Sequence, residues 1–315
     1  MENLDQDFKK LARKTKRRRW LLTFLLVLVT VFVLVGGGLL FVQRRTEKNL
    51  SRLRLELILK NTLLSPNYRI PVMGGSYQPL TGDAETVTGS KNIDGYLVKF
   101  GEAYGSYNWR GYEVSRSGLA MLSASPNYEA TFDSYSGEKI PQFYNVKLRA
   151  AKTNFSPTQQ LSQLATMENY VGEVALTFDQ DYSYAQIQQM LPENVMINWY
   201  WFTPVDNFDP NANDTQDVVG IQGEDANGSI SEKYYGEYLK AVKSYQENFA
   251  LAGTPIAENT AKISTEYASL TSARFAGVIV TGKTENLAQL VQADWLFASS
   301  VGSTVERVPY LTPTK

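Results

Sequence analysis

The stretch VGEVALTFDQDYSYAQIQQMLPENVMINWYWF (Val171–Phe202) decides the fold of the C-terminal half of this chain. Its apolar ends, Val171–Phe178 and Val195–Phe202, predict strands, and the second is continuous enough to be covered on both faces. Between them, Tyr184–Leu191 predicts a helix. Ser183 caps its start in a capping-box pattern, and Pro192 ends it. The stretch is therefore one strand–helix–strand unit.

The same pattern recurs near the C-terminus. Phe275–Gly282 and Trp295–Gly302 predict two more strands. Glu285–Gln292 between them predicts a helix, with Thr284 as its cap. Such units favour parallel pairing with right-handed crossovers. We therefore expect residues 161–315 to form a split β-α-β domain with helices over one face.

A helical insert separates the two units. Apolar and aromatic residues recur at helical spacing in Ser231–Ala252, and Pro255–Ser272 predicts a second helix after Gly253. The preceding region, residues 67–160, is rich in glycine, tyrosine and serine and has closely spaced turns. It predicts short strands followed by a linker at Thr153–Gln160. The predicted strands are Tyr96–Gly101, Gly111–Ser115, Leu119–Ser123 and Tyr144–Ala151.

The apolar run WLLTFLLVLVTVFVLVGGGLLFV (Trp20–Val42) carries no charged residue. At about 1.5 Å per residue, a helix of this run reaches roughly 35 Å, enough to cross the hydrocarbon core of a bilayer. It is too long for a signal peptide, and no small-residue cleavage pattern follows it. We predict an uncleaved transmembrane helix over residues 20–43; a buried soluble helix and a cleaved signal are the rival interpretations.

Basic residues crowd the N-terminal side of this run, with eight lysines and arginines from Lys9 to Arg19. This bias predicts a cytoplasmic tail of residues 1–19 and an extracellular C-terminal domain, in a single-pass protein of the cell membrane. Beyond the run, residues 44–66 predict a stalk in which Glu47–Leu64 is helical. The predicted class is α+β: one transmembrane helix, an extracytoplasmic β-rich region and the domain with two strand–helix–strand units.

Composition restricts the possible functions. The chain has 315 residues and a net charge of −1, and it contains neither cysteine nor histidine. These absences exclude disulfides, thiol nucleophiles, histidine-based triads and Cys/His zinc sites. Because the tail is basic, the remainder is acidic, which argues against nucleic acid as a partner. We find no catalytic set and predict neither an enzyme nor a cofactor.

The strand–helix–strand stretch resembles the C-terminal domain of the sigma-factor-regulator membrane proteins of Firmicutes. It shares a strand ending in Phe-Asp, a short helix ending in Leu-Pro, and a strand with the pattern Asn-Trp-x-Trp. The segment DFKKLARKTKRRRW and the apolar run after it are also similar to the N-terminal part of that family. The residues concerned in the domain are Phe178, Asp179, Leu191, Pro192, Asn198, Trp199 and Trp201.

This resemblance implies an anti-sigma function. A cytoplasmic segment would hold an extracytoplasmic-function sigma factor at the membrane, while the outer domain senses or binds a protein or an envelope ligand. The alternative from another functional class is a membrane-tethered structural or accessory protein of an envelope or transport complex. Its partner would be another membrane protein, with no sigma factor involved.

The basic tail contains a candidate partner-binding face. Phe8, Leu11 and Thr15 lie on one side of a helix, beside Arg13 and Lys14. These five residues predict a docking helix for a cytoplasmic protein. Contact with anionic lipid, worth about 1 kcal/mol per basic residue, is a second interpretation. Nucleic-acid binding is a third, which the acidic remainder of the chain disfavours.

A weak calcium-like pattern lies in the loop after the first unit. Asp209, Asn211, Asn213 and Asp217 offer oxygen ligands at suitable spacing. Asp214 stands where such loops carry glycine, and the final bidentate glutamate is missing. We therefore predict a solvated acidic loop and no metal site, with weak calcium binding as the alternative.

Two further groups have competing interpretations. Trp199, Tyr200 and Trp201 are suited to stacking on a glycan or peptide, but their continuous apolar run favours a buried core. Glu224 and Asp225 are neighbouring carboxylates on a polar loop, and nothing in the sequence places them in a cleft.

Overall fold

The computed structural model describes residues 2–69, 77–118, 121–123, 130–148, 157–211, 218–225 and 227–310. The predicted α+β class is confirmed. One long helix leads into two small antiparallel sheets and then into a five-stranded sheet. The helices are α1 (Glu2–Leu64), α2 (Leu161–Leu164), α3 (Tyr184–Met190), α4 (Glu232–Asn248), α5 (Pro255–Glu266) and α6 (Thr284–Leu287). The strands are β1 (Asp83–Ile93), β2 (Tyr96–Tyr107), β3 (Tyr112–Gly118), β4 (Met121–Ser123), β5 (Thr131–Asp133), β6 (Lys139–Ile140), β7 (Tyr170–Tyr182), β8 (Met196–Phe202), β9 (Gly220–Gln222), β10 (Phe275–Lys283) and β11 (Leu296–Glu306).

Helix α1 runs without interruption over 63 residues, through the predicted tail, span and stalk. It is long and apolar enough to cross a membrane, and its apolar window has no buried residues. Beyond that window its leucines become buried. Leu50, Leu53 and Leu57 pack against the β1–β3 sheet, whereas Leu59 and Leu63 enter the core of the C-terminal domain. One helix therefore joins the N-terminal segment to both folded parts.

The β1–β3 sheet is antiparallel throughout. The strands predicted at Tyr96–Gly101 and Gly111–Ser115 are confirmed as parts of β2 and β3. The strand predicted at Leu119–Ser123 is confirmed in part by β4. The sequence does not predict β1. Its inward-facing side chains include Glu85 and Lys91 beside Val87 and Ile93. Because two of these four are charged, the apolar alternation that marks a half-buried strand is missing.

The strand predicted at Tyr144–Ala151 is wrong within its described part. Val146–Leu148 is a turn of 3-10 helix. Asn145 explains the difference, since its side-chain amide donates to Phe208 O at 2.8 Å and its Oδ1 accepts from Lys147 N at 3.1 Å. The backbone is thus held by a side chain and not by a neighbouring strand. Within the predicted linker, residues 153–156 lie outside the described residues, and Gln159 pairs with β11.

The five-stranded sheet has the order β11-β7-β10-β8-β9, and all its pairs are antiparallel. The expected direct parallel pairing is therefore wrong. Strands β7 and β8 of the first unit run parallel but are separated by β10, while β10 and β11 of the second are separated by β7. This interleaving is the ferredoxin-like split β-α-β arrangement, with β9 added at one edge. The prediction of a split domain is confirmed.

Helices cover one face of this sheet, as predicted. Side chains of β7, β8 and β10 pack there, in one large apolar core, with residues from each of the helices α1 to α6. The capping box of α3 is confirmed, because Ser183 and Gln186 exchange both hydrogen bonds. Thr284 as a cap is wrong: its hydroxyl donates to Met167 O at 2.6 Å, and the N-cap position is Lys283. The second helix of the insert ends at Glu266, earlier than predicted.

Candidate functional site

A buried ion pair joins the β1–β3 sheet to the C-terminal domain. Lys91 Nζ on β1 lies 2.6 Å from Glu173 Oε2 on β7, and both side chains are fully buried. The ammonium group also lies 3.5 Å from the centre of the Phe100 ring. Burial lowers the pKa of Lys91, and the Glu173 carboxylate opposes that shift. Each charge therefore depends on the other, because neither reaches water.

Other groups complete the surroundings of Glu173. Asn67 Nδ2 donates to its Oε1 at 2.7 Å, and Ser303 N donates to its Oε2 at 3.3 Å. A Cβ at Gly302 would lie 2.3 Å from Glu173 Oε2, so glycine is needed for β11 to approach. Lys139 adds a second positive charge nearby, and burial lowers its pKa to about 8. Glu173 is thus held at once from the turn after α1, from β1 and from β11.

Asn198 makes a second link between the same two parts. Its Oδ1 accepts from Thr281 Oγ1 at 2.7 Å within the sheet, and its Nδ2 donates to Asn92 O at 3.1 Å on β1. The strand β8 shifts its register at this position. Asn92 directly follows the buried lysine, so the two links are adjacent. The two links together form one junction, which consists of Asn67, Lys91, Asn92, Glu173 and Asn198.

The two tryptophans of the Asn-Trp-x-Trp strand are core residues, as the apolar run predicts. Trp199 and Trp201 are each 1% exposed. Their rings lie 5.8 and 4.9 Å from the ring of Phe143. They occupy the sheet face opposite the helices, in a separate apolar cluster. The tryptophans therefore attach the segment before the domain to its sheet.

A cleft of about 300 Å³ opens beside the junction. Arg69 crosses it, with Nε 3.2 Å from Gln222 Oε1 and Nη2 3.4 Å from Gly223 O. Four amide side chains and one guanidinium group line the cleft, and such groups bind polar ligands through hydrogen bonds. Since one wall comes from β1 and the other from β8 and β9, a ligand here would contact both folded parts. Its lining includes Asn67, Arg69, Asn92, Leu97, Asn198 and Gln222.

The structure places Glu224 and Asp225 at the edge of this cleft, which the sequence did not indicate. Their carboxylates are occupied locally. Glu224 Oε2 accepts from Ser231 N at 3.0 Å, and Asp225 Oδ1 accepts from Ser229 N at 2.9 Å. The Ser229 hydroxyl bond lowers the pKa of Asp225. The two acids thus hold the turn that leads into α4.

The predicted partner-binding residues lie in the first turns of α1. Leu11 is 62% exposed, and Arg13 and Lys14 are exposed as well. Thr15 Oγ1 donates back to Leu11 O at 2.9 Å, within the helix. Phe8 belongs to the same helix, but its side chain lies outside the described residues. The helix brings these residues together, while partner binding stays a prediction.

Only part of the calcium-like loop is described. Asn213 and Asp217 lie outside the described residues. Asn211 is buried, and its Nδ2 donates to Phe143 O at 2.8 Å. Asp209 Oδ1 accepts from Asn211 N at 2.9 Å. These two residues therefore tie the start of the loop to the tryptophan cluster, and calcium binding remains the untested alternative.

Residues 161–303 match the family whose model is described as sigma factor regulator C-terminal. This region is therefore similar to the C-terminal domain of the sigma factor regulators. The matched region contains β7, β9, β10 and β8 with its Asn-Trp-x-Trp pattern, and most of β11. No curated protein and no solved structure matches the chain. Regulation of a sigma factor is thus the function that the family supports.

The junction escapes the sequence analysis. One signal was available: Glu173 is the charged residue inside an otherwise apolar predicted strand. An ionised side chain in such a strand needs a buried partner. The sequence does not identify that partner, because Lys91 is 82 positions away in a strand without an apolar pattern.

Proposed function

We propose that this protein is a membrane-bound anti-sigma factor. In this proposal α1 crosses the membrane with its N-terminus in the cytoplasm, and residues 44–315 lie outside the cell. The N-terminal turns of α1 bind an extracytoplasmic-function sigma factor, and the outer part binds a protein or envelope ligand without catalysis. The domain boundaries at residues 19, 43, 66 and 160 are part of the same proposal.

The observation that carries this proposal is the continuity of α1. The helix extends over 63 residues, about 95 Å at 1.5 Å per residue. Its far end is fixed by buried leucines in the β1–β3 sheet and in the C-terminal core. A rotation or tilt of the folded part is therefore transmitted to the exposed turns at the other end, because no break in the helix absorbs it.

The tail suits a helix-in-groove interaction. Leu11 is an exposed apolar residue in a strongly basic segment, and Arg13 and Lys14 lie close to it in the sequence. An amphipathic helix binds by placing its apolar side chains in a groove, while charged neighbours steer the encounter. An acidic-rimmed groove on the sigma factor is the complementary surface.

Ligand sensing is assigned to the cleft beside the junction. A ligand between Arg69 and Asn198 contacts the β1–β3 sheet and the C-terminal domain together. It shifts the protein only if it binds one relative arrangement of these parts more tightly than another. Because α1 packs against both parts, such a shift changes the orientation of the helix.

The test is co-purification of the sigma factor with the full chain from the membrane fraction. Leu11→Asp places a charge in the apolar contact and is expected to reduce the recovered sigma factor at least tenfold. Leu251→Asp, at an exposed position distant from both the tail and the cleft, is the matched control and is expected to leave recovery unchanged. Equal recovery with both variants, or none with the unaltered chain, contradicts the anti-sigma proposal. The second outcome favours the tethered accessory protein.

A further inference from the structure

The folded part begins very close to the end of the apolar run. Val42 ends that run, yet Thr46 is fully buried and Asn49 is 9% exposed. Thr46 lies about 6 Å along the helix axis from Val42, at 1.5 Å per residue. The headgroup layer of a bilayer is about 5–7 Å thick on each side. A membrane that contains the apolar run therefore reaches the folded part.

One end of the β1–β3 sheet is fixed at this level. Asn49 Nδ2 donates to Asn108 O at 2.7 Å, in the turn that joins β2 and β3. The next residue, Trp109, is 40% exposed. The guanidinium carbon of Arg110 lies 5.1 Å from the centre of its ring. An aromatic ring and a cation thus project together from a turn bound to the membrane-proximal part of α1.

A second turn lies beside the first. A Cβ at Gly82 would approach Asn108 Cα to 2.6 Å, which shows how closely the two turns pack. The turn before β1 carries Leu80, which is 45% exposed. At the opposite end of the same sheet, Leu97 is 72% exposed near the junction. Exposed apolar side chains thus occur at both ends of the sheet, and of these two leucines Leu80 lies at the end nearer the membrane-proximal part of α1.

Charge at this end favours an anionic surface. Arg44, Arg45 and Lys48 are exposed on α1 on this side of the span, and Arg110 adds to them. The acidic residues Glu47, Asp83 and Glu113 also lie at this end, and the sum remains positive. Tryptophan is enriched where a bilayer meets water, and lysine and arginine near the surface are attracted to anionic headgroups.

We propose that Leu80, Trp109 and Arg110 form a membrane-seating surface that rests on the anionic headgroups of the bilayer crossed by α1. This inference rests on the proposed transmembrane placement of that helix. Seating fixes one end of the β1–β3 sheet at the membrane, while β1 carries Lys91 and Asn92 of the junction towards the other end. The membrane surface thus becomes a second support for the cleft, in addition to α1.

The experiment uses the full chain in vesicles of phosphatidylglycerol and phosphatidylcholine. Because the chain has no cysteine, a single introduced cysteine carries a spin label at one chosen position. Labels at Leu80→Cys and Trp109→Cys test the surface, Leu97→Cys is the matched aqueous control, and Leu28→Cys lies in the apolar run. Accessibility to oxygen, which partitions into lipid, is compared with accessibility to a water-soluble nickel chelate. Cooperative thermal unfolding of each variant verifies that it is folded.

The expected result is at least threefold lower nickel accessibility at positions 80 and 109 than at 97, with position 28 in lipid. If position 28 is in lipid but 80 and 109 are as aqueous as 97, the seating surface is overturned while the transmembrane placement stands. If position 28 is aqueous, the placement fails and the surface with it. Unchanged protection in vesicles of phosphatidylcholine alone overturns the role given to anionic lipid.

Discussion

Replacement of Glu173 by glutamine tests the junction most directly. The change preserves the shape of the side chain but removes the charge that opposes the lowered pKa of Lys91. It also presents an amide nitrogen to surroundings that now supply three donors: Lys91 Nζ, Asn67 Nδ2 and Ser303 N. At least one donor faces another donor in the variant. The protein has to accept an unpaired buried ammonium or neutralise it.

The expected cost follows from these two possibilities. Removal of one partner of a buried ion pair destabilises proteins by about 3–5 kcal/mol. Deprotonation of Lys91 sets an upper limit on this loss of stability. A lysine that ionises near pH 10.5 in the unfolded chain costs about 5 kcal/mol to deprotonate at pH 7. At pH 9, closer to the pKa of the unfolded lysine, that upper limit falls to about 2 kcal/mol. In the variant the unfolded chain binds more protons than the folded one below pH 10.5, so its stability rises with pH relative to the original protein.

Thermal unfolding of the full chain in detergent micelles, followed by tryptophan fluorescence, measures the effect. Trp199 and Trp201 are buried beside the junction and report its opening. We expect Glu173→Gln to lower Tm by about 6–20 °C at pH 7, and by clearly less at pH 9. The double variant Glu173→Gln with Lys91→Met removes the stranded charge and is expected to recover most of the loss. A double variant as unstable as the single one, or a loss independent of pH, refutes the reasoning.

Three further predictions concern stability, each measured by the same unfolding assay. Gly302→Ala brings a methyl group to 2.3 Å from the Glu173 carboxylate and is expected to cost about 1–3 kcal/mol. In its matched control, Gly236→Ala in α4, the added methyl group meets no atom within 4 Å, and the change is expected to raise stability by about 0.5–1 kcal/mol. A loss of stability at both positions would contradict the steric argument. Ser183→Ala removes the capping box of α3 and is expected to cost about 1 kcal/mol, whereas Ser183→Asp retains a cap and should cost much less. Burial raises the pKa of Tyr238, whose hydroxyl has no hydrogen-bond partner within the described part of the chain. Because unfolded tyrosine ionises near pH 10 while this one stays protonated, its contribution to stability is present below pH 10 and is lost as pH rises further. Tyr238→Phe should therefore stabilise the protein by about 1 kcal/mol and flatten the alkaline decline, and an unchanged decline would argue against this assignment.

The sequence by itself determined the elements whose signals are local. The length of the apolar run, the capping box at Ser183 and the apolar strands of the two units required no knowledge of distant residues. Their order also predicted a split β-α-β domain and a buried position for Trp199 and Trp201. These features follow from periodicity and from short-range hydrogen bonding, which are properties of neighbouring residues.

Only the tertiary structure decided how the elements meet. It interleaved the two units, so that the strands expected to pair in parallel became separated by antiparallel neighbours. It also revealed β1, whose inward-facing Glu85 and Lys91 remove the apolar alternation that sequence analysis detects. Lys91 is buried only because Glu173 lies across from it in a different sheet. The physical reason is that a buried charge is stabilised by a partner in space, and the sequence records both charges without recording their contact.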